Sequence, residues 1–367
     1  MRQPRSPAVT DSQETAPETS GARQDDDARV PRRRSISQRL YLAEGSRAYG
    51  LALATIILLI ILAIKDPPYI SLSNFRVIAL QSVTLGIASV GTLCLMVSGN
   101  VDLSIGSMTG LVATSSALLS LTLPEPLPIL LGLLIGLVCG IFNGLLVWRI
   151  SISPIIITIG SLSLMYGIAL VLNQGQDVPN VPGNFTTFGS VTVFGFNIGV
   201  VILLVLCLAA RVFLAGTVPG KYLYAIGGNR EAAARVGIPI RRYVLGTFAF
   251  SGLLIGLAGV LLASQFGTAS PDFGINLEVQ VITAVILGGV AFNGGEGGIG
   301  GVLLAVIFLG ILNSMIVALG INQYFADVIQ GAALIIAVGL DQVVREQRER
   351  RKRAIALADM LDTGGAP

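Results

Sequence analysis

Ten apolar runs, each about the length a helix needs to cross a ~30 Å hydrocarbon core, recur along this chain of 367 residues. They cover 48–64, 76–98, 103–122, 128–148, 154–173, 198–215, 244–264, 277–293, 299–318 and 324–340. A soluble fold cannot bury so much apolar sequence, and in lipid the backbone must satisfy its own hydrogen bonds, so the expected architecture is an all-α integral membrane protein, a polytopic bundle of about ten transmembrane helices with breaks. Charge is distributed to match. Residues 1–47 hold nine Arg and seven acids, 341–367 hold six Lys/Arg and five acids, and the 293 residues between them hold 18 charges.

The segment 1–47, rich in Pro, Ser, Asp and Arg, has no apolar periodicity that could bury a core and is expected to be a disordered tail. A transmembrane domain would then occupy 48–340, with a second tail over 341–367. Lys and Arg accumulate in cytoplasmic loops. The Arg-rich N-terminal segment, the run Arg345–Arg353 and the loop 216–243, with Lys221, Arg230, Arg235, Arg241 and Arg242, therefore all point to one side, placing both termini in the cytoplasm and the chain in the cell membrane.

Composition excludes several chemistries. There is no His, which removes His-based catalysis, proton relays and metal sites. Cys94, Cys139 and Cys207 lie inside apolar runs without a C-x-x-C pair and read as buried thiols, so no metal site is expected. Gly295-x-Gly297-x-x-Gly300 matches the dinucleotide fingerprint in form, yet it lies between membrane runs rather than in a strand–turn–helix unit, and no P-loop sequence is present. Most of the 44 glycines, such as Gly132, Gly136, Gly140 and Gly144, recur at helical spacing and read as close-packing faces between helices.

Three segments stand out from the packing background. Ser98-Gly99-Asn100-Val101-Asp102-Leu103-Ser104 interrupts two apolar runs with polar residues and a carboxylate, so a helix break is expected. Asp102 either caps the following helix or lines a solute path. A second break, from Gly288-Gly289 through Asn293, Glu296 and Gly301, repeats that layout faintly. The third segment, in the loop 216–243, specifies a short helix: Asn229 suits the N-cap, Ala232–Ala234 favour helix, Glu231 and Arg235 form an i,i+4 pair, and Gly237 suits the C′ position ahead of Pro239. This exposed helix is either a solvated turn or a docking element for a soluble partner.

Asn100-Val101-Asp102-Leu103-Ser104-Ile105-Gly106-Ser107, the run Tyr224–Asn229 continuing into Glu231 and Ala232, and Glu278 followed ten residues later by Gly288-Gly289 resemble the ribose-type sugar permeases of ABC importers. The resemblance extends over about residues 45–341, although the N-terminal tail is longer than such permeases carry. It implies a permease that pairs with a second copy of itself, binds a cytoplasmic ABC ATPase and receives a monosaccharide from an extracytoplasmic binding protein. ATP and Mg would be used by the ATPase, with no cofactor bound by this chain and no nucleic-acid partner. Carried onto this sequence, Gly227, Gly228, Asn229, Arg230, Glu231, Ala232, Arg235 and Gly237 form the ATPase-coupling element. Ser98, Gly99, Asn100, Asp102, Ser104 and Ser107 flank the translocation path, and Glu278, Phe185 and Phe188 face the docked binding protein. An ion-coupled secondary transporter of a small polar solute is the alternative. It would need a titratable relay, for which the acids near the apolar runs are Asp102, Glu278, Glu296 and Asp327.

Overall fold

The computed structural model describes residues 36–65, 67–150, 152–322, 324–339 and 342, and the side chains of those residues other than 36–49 and 67. The described residues are mostly helical, and each of the ten apolar runs coincides with a helix or a bent helix pair. Among the described residues, five helices are individually long and apolar enough to cross a membrane: α5 (Leu127–Arg149), α6 (Pro154–Leu172), α8 (Ile198–Gly216), α11 (Ile240–Phe266) and α13 (Ile299–Ala318). A sixth candidate is the pair α2 (Leu72–Gln81) and α3 (Val83–Val97), bent by 48°. The remaining runs form the shorter helices α4 (Ile105–Ser120), α12 (Leu277–Leu287) and α14 (Tyr324–Gly339) and the apolar part of α1 (Ile36–Lys65).

Helix α1 (Ile36–Lys65) carries the first apolar run back into the segment expected to lack structure, and residues 1–35 and most of the C-terminal tail lie outside the described residues. One expectation is corrected here: the second apolar run is two helices, not one. Its bend sits at Ser82, whose hydroxyl donates to the Ile78 carbonyl at 2.8 Å, a back-bond that bends helices. Gly310 of α13 leaves room for the same hydroxyl, since a Cβ at Gly310 would run into Ser82 Oγ.

Every residue of α3 except Thr84 is buried, so this helix forms the centre of the bundle, with α11, α12, α8 and α13 against it. Helix α5 shows how sequence sorts the faces. Gly132, Gly136 and Gly140 point at α11, where a Cβ on Gly136 would lie 2.6 Å from the Gly256 Cα and one on Gly140 would lie 2.9 Å from the Gly252 Cα. Leu130, Leu134, Val138, Ile141 and Leu145 point away, exposed. Small residues permit backbone contact where lipid offers no hydrophobic drive to associate, and the large residues are left on the outer face.

At one end of the bundle, the segment between α6 and α8 contains α7 (Gly183–Ser190) and a short antiparallel hairpin, β1 (Thr192–Val193) with β2 (Phe196–Asn197). It is tied to the end of α11. Val178 and Ala269 exchange backbone hydrogen bonds at 2.7 and 3.1 Å, and the Ser264 hydroxyl accepts from Gly189 N–H and donates to the Phe185 carbonyl, both at 2.6 Å. At the opposite end, α8 leads through α9 (Val218–Gly228) and α10 (Arg230–Arg235) into α11.

Candidate functional site

The α9–α10 segment is fixed by local chemistry. Thr217 caps α9 by accepting from Gly220 N–H at 3.1 Å, and Asn229 caps α10 by accepting from Ala232 N–H at 2.9 Å. Helix α10 closes with Gly237 at φ 82, while Gly237 N–H donates to Ala234 O at 3.0 Å and Ile238 N–H to Ala233 O at 3.1 Å. Those two bonds make the Schellman closure, whose left-handed residue favours glycine. Arg235 and Glu231 pair at 3.7 Å on the exposed face of α10, while Ala233 turns inward. Tyr222 meets Tyr243 edge to face at 5.6 Å, which holds α9 to α11, and Arg241 at the start of α11 sits 3.8 Å over the Trp148 ring of α5.

The C-terminal end of α9 rests on both helix breaks at once. Gly295 N–H, in the break after α12, donates to the carbonyl of Val97, the last residue of α3, at 2.9 Å. The Tyr224 hydroxyl of α9 donates to the Gly297 carbonyl at 2.7 Å. A Cβ on Gly294 would lie 2.7 Å from the Gly99 Cα and 3.0 Å from the Gly227 Cα, one on Gly227 would run into the Val97 carbonyl oxygen, and one on Gly295 would lie 2.7 Å from the Gly228 Cα. Three chain segments therefore meet backbone to backbone. Gly99 (φ 79), Gly294 (φ 86) and Gly295 (φ 76) also hold left-handed conformations that side chains disfavour. The faint repeat in the sequence is a spatial pair: the two breaks touch.

Beyond Gly99 the first break is held by a buried polar network, in which the Oδ1 atoms of Asn100 and Asn143 are left without a partner among the described residues. Asp102 Oδ1 accepts from Ser104 N–H at 2.8 Å and from the Ser104 hydroxyl at 2.6 Å, and Asn143 of α5 donates to Asp102 Oδ2 at 3.2 Å and to Ser104 Oγ at 2.8 Å. Asp102 is 1% exposed and Asn143 0%. Ser98 donates to Leu95 O at 2.7 Å, and Asn100 donates to Ser98 Oγ at 3.0 Å. The carboxylate thus organises the turn into α4 rather than facing solvent.

A cavity of about 260 Å³ opens at the next turn of α4, where Gly106 and Ser107 face Leu162 and Tyr166 of α6 and the residues Pro271–Glu278. The chain after α11 folds back onto α4 here, through a 3-10 turn (Pro271–Gly274) that packs on Gly110 and Gly106. A Cβ at Gly106 would run into the Gly274 carbonyl and the Glu278 Oε2 atom. Tyr166 donates its hydroxyl to Asp272 Oδ1 at 2.8 Å, joining α6 to this turn. Asn276 holds φ 64 at the cavity edge, with its amide 3.5 Å from Asp327 of α14.

Residues 74–338 match the family model described as the permease component of the branched-chain amino acid transport system. The chain belongs to this permease family. The galactose/methyl galactoside import permease of Escherichia coli (strain K12) is 33% identical over 83% of this chain and 95% of its own length. The ribose import permease of Bacillus subtilis (strain 168) is 32% identical over 80% of this chain and 92% of its own, and the L-arabinose ABC transporter permease of Azospirillum brasilense is 31% identical over 83% and 90%. No solved structure is significantly similar to the chain. The protein is the membrane permease component of an ABC importer, a multi-pass membrane protein rather than an enzyme.

Within the permease, the residues singled out from sequence fall into three sets. Gly227, Gly228, Asn229, Arg230, Glu231, Ala232, Arg235 and Gly237 stay together as the end of α9 and the capped α10. Of the six residues assigned to the path, Ser107 lines the cavity, whereas Ser98, Asn100, Asp102 and Ser104 are enclosed in hydrogen bonds and Gly99 is packed in the glycine junction. Phe185 is 0% exposed in the core, so it has no surface to offer a partner, and Phe188 is half-buried; Phe194, 96% exposed at φ 52, is the aromatic this loop presents. Glu278 lines the cavity beside Gly106. Asn143 was missed, although a lone amide beside Gly144 in a glycine-striped membrane helix was the available signal. Tyr224 was legible only as part of the loop motif, without its bond to the second break.

Proposed function

We propose that this permease imports a neutral monosaccharide of the ribose, galactose or arabinose kind by alternating access, working as a homodimer with a cytoplasmic ABC ATPase and an extracytoplasmic binding protein. The observation that carries this reading is the seating of α9 on both helix breaks: α10 presents an exposed, capped surface, and its neighbours Gly227 and Gly228 lie against Gly99, Gly294 and Gly295. A force applied to α10 by a partner reaches the ends of α3 and α12 through backbone contacts. The three sugar permeases, each matching at least 80% of this chain, support the substrate class. ATP and Mg act in the ATPase, and this chain contributes no cofactor of its own.

The same reading assigns ten crossings over residues 48–340, with the bent pair α2–α3 as one crossing and both termini cytoplasmic. The loop 216–243 and the breaks then lie toward the cytoplasm, and α7 with its hairpin lies outside. Co-purification tests the proposal. Tagged permease, gently solubilised, should bring an ATPase with it, and reconstituted complex should take up at least one of the three sugars only with ATP. Retention of uptake without ATP, driven by an ion gradient, would replace the importer reading with ion-coupled transport.

A further inference from the structure

The interior of this permease spends most of its polar groups locally. Asp102 is taken by Ser104 and Asn143, Thr109 donates to Ile105 O at 2.9 Å, and Ser264 to Phe185 O at 2.6 Å. Glu278 differs. It is half-buried in the cavity wall, its own backbone N–H is the donor its carboxylate has, and among the described residues no cation pairs with it. Glu278 lies in the first turn of α12, where the helix N-terminus rather than a cation offsets its charge, and an acid in an apolar membrane segment marks a solute pathway by default. Gly106 keeps the space in front of it, because a Cβ there would strike the carboxylate.

The surroundings define what that space can take. Tyr166 donates its hydroxyl proton to Asp272, so it offers the cavity its ring and an oxygen that only accepts. Leu162, Pro271 and Ile275 supply apolar wall, and Ser107 and Asn276 add hydrogen-bonding groups on either side of Glu278. No Lys or Arg is among the described lining residues, so a carboxylate or phosphate on the solute would meet Glu278 with nothing to compensate it. An ionised carboxylate only accepts hydrogen bonds, and it accepts well from neighbouring hydroxyls. The volume of about 260 Å³ lies just below the range for drug-sized ligands and suits a single small solute.

We propose that this cavity is a solute subsite within the permease itself, where Glu278 accepts hydrogen bonds from the hydroxyls of a neutral sugar in transit and favours uncharged over anionic solutes. The inference rests on the importer reading above and deepens it. It also moves Glu278 from a partner-docking role to a specificity-determining one.

The test uses the full-length permease purified with its ATPase and binding protein and reconstituted in proteoliposomes, with radiolabelled ribose, galactose and arabinose as probes. Glu278→Gln keeps the shape and removes the charge. Uptake should fall about tenfold, the order expected when a charge-assisted hydrogen bond becomes neutral, while hydrolysis of ATP stimulated by the binding protein stays within about twofold of wild type. Parallel loss of uptake and stimulated hydrolysis would place Glu278 in docking and overturn the subsite, as would unchanged uptake. If the wild-type complex hydrolyses ATP yet imports none of the three sugars, the sugar reading fails by itself. Ser107→Cys then decides the cavity: labelling by a membrane-impermeant methanethiosulfonate that differs at least tenfold between ATP-bound and nucleotide-free complex keeps it on a solute path. Labelling indifferent to nucleotide removes it.

Discussion

Gly227→Ala is the sharpest perturbation of the junction between α9 and the two breaks. The added methyl would run into the Val97 carbonyl, the acceptor of the 2.9 Å bond from Gly295 N–H. Overpacking of a closed interior costs about 1–3 kcal/mol, and the strained Gly295–Val97 bond adds about 1 kcal/mol. Against this, Ala is better than Gly in a helix by about 1 kcal/mol. The balance, about 1–3 kcal/mol against the seated position of α9, shifts its population by about 5- to 150-fold. The neighbouring Gly228→Ala is the control, since a Cβ there meets nothing within 4 Å and gains the same helix propensity. ATP-driven uptake by reconstituted complex should therefore fall at least about fivefold for Gly227→Ala, while Gly228→Ala transports at the wild-type rate. ATPase co-purification and thermal unfolding in detergent, measured alongside, separate loss of coupling from loss of assembly. If the two alanine variants behave alike, the backbone junction does not transmit force and the reasoning is refuted.

Swapping the exposed pair, Glu231→Arg with Arg235→Glu, preserves an i,i+4 pair in α10 but inverts the charge pattern it presents; the variant should unfold at the wild-type temperature and lose its ATPase on co-purification, and full retention would remove α10 from the docking surface. Gly252→Ala puts a Cβ 2.7 Å from the Gly140 Cα across the α5–α11 contact, whereas one at Gly246 meets nothing within 4 Å. Thermal unfolding should show a loss of about 1–3 kcal/mol for the first and none for Gly246→Ala. Asn143→Leu leaves Asp102 Oδ2 without its donor in a buried site and should cost about 1–3 kcal/mol by the same measurement, with wild-type stability showing that the amide is dispensable.

What was legible in the sequence is what local chemistry decides. The N-cap Asn229, the i,i+4 pair and the left-handed Gly237 define α10 within nine residues, and the structure keeps all three. The glycines of α5 were readable as a packing face because their spacing is the helix period itself. Hydropathy could not divide the second apolar run, since the Ser82 back-bond is polar chemistry inside an apolar average. Nor could it separate Phe185 from Phe194. Both are aromatics in one loop, and only the contact of α7 with α11 buries the first while the hairpin exposes the second. Asn143 and Asp102 lie 41 residues apart, and Glu278 reaches Gly106 across still more chain, so nothing local announces either meeting.

Two acids within the bundle, in similar apolar sequence, consequently have opposite characters. Asp102 is spent on the turn it organises; Glu278 faces space. Between them the chain from Val97 to Ser107 forms one continuous connection. It is held at Val97 by Gly295, pressed at Gly99 by Gly294, clamped at Asp102 by Asn143, and opens at Gly106 and Ser107 onto the cavity. A loose segment would dissipate a displacement at Gly99 before it reached Ser107, whereas a segment clamped midway passes it on. Under the importer reading the buried network is thus the stiff part of a lever, α9 drives one end, and the Glu278 cavity lies at the other. Loosening the clamp with Asn143→Leu should then lower the sugar moved per ATP hydrolysed more than it lowers hydrolysis itself, and a proportional fall in both would show that the connection through Asp102 carries no motion.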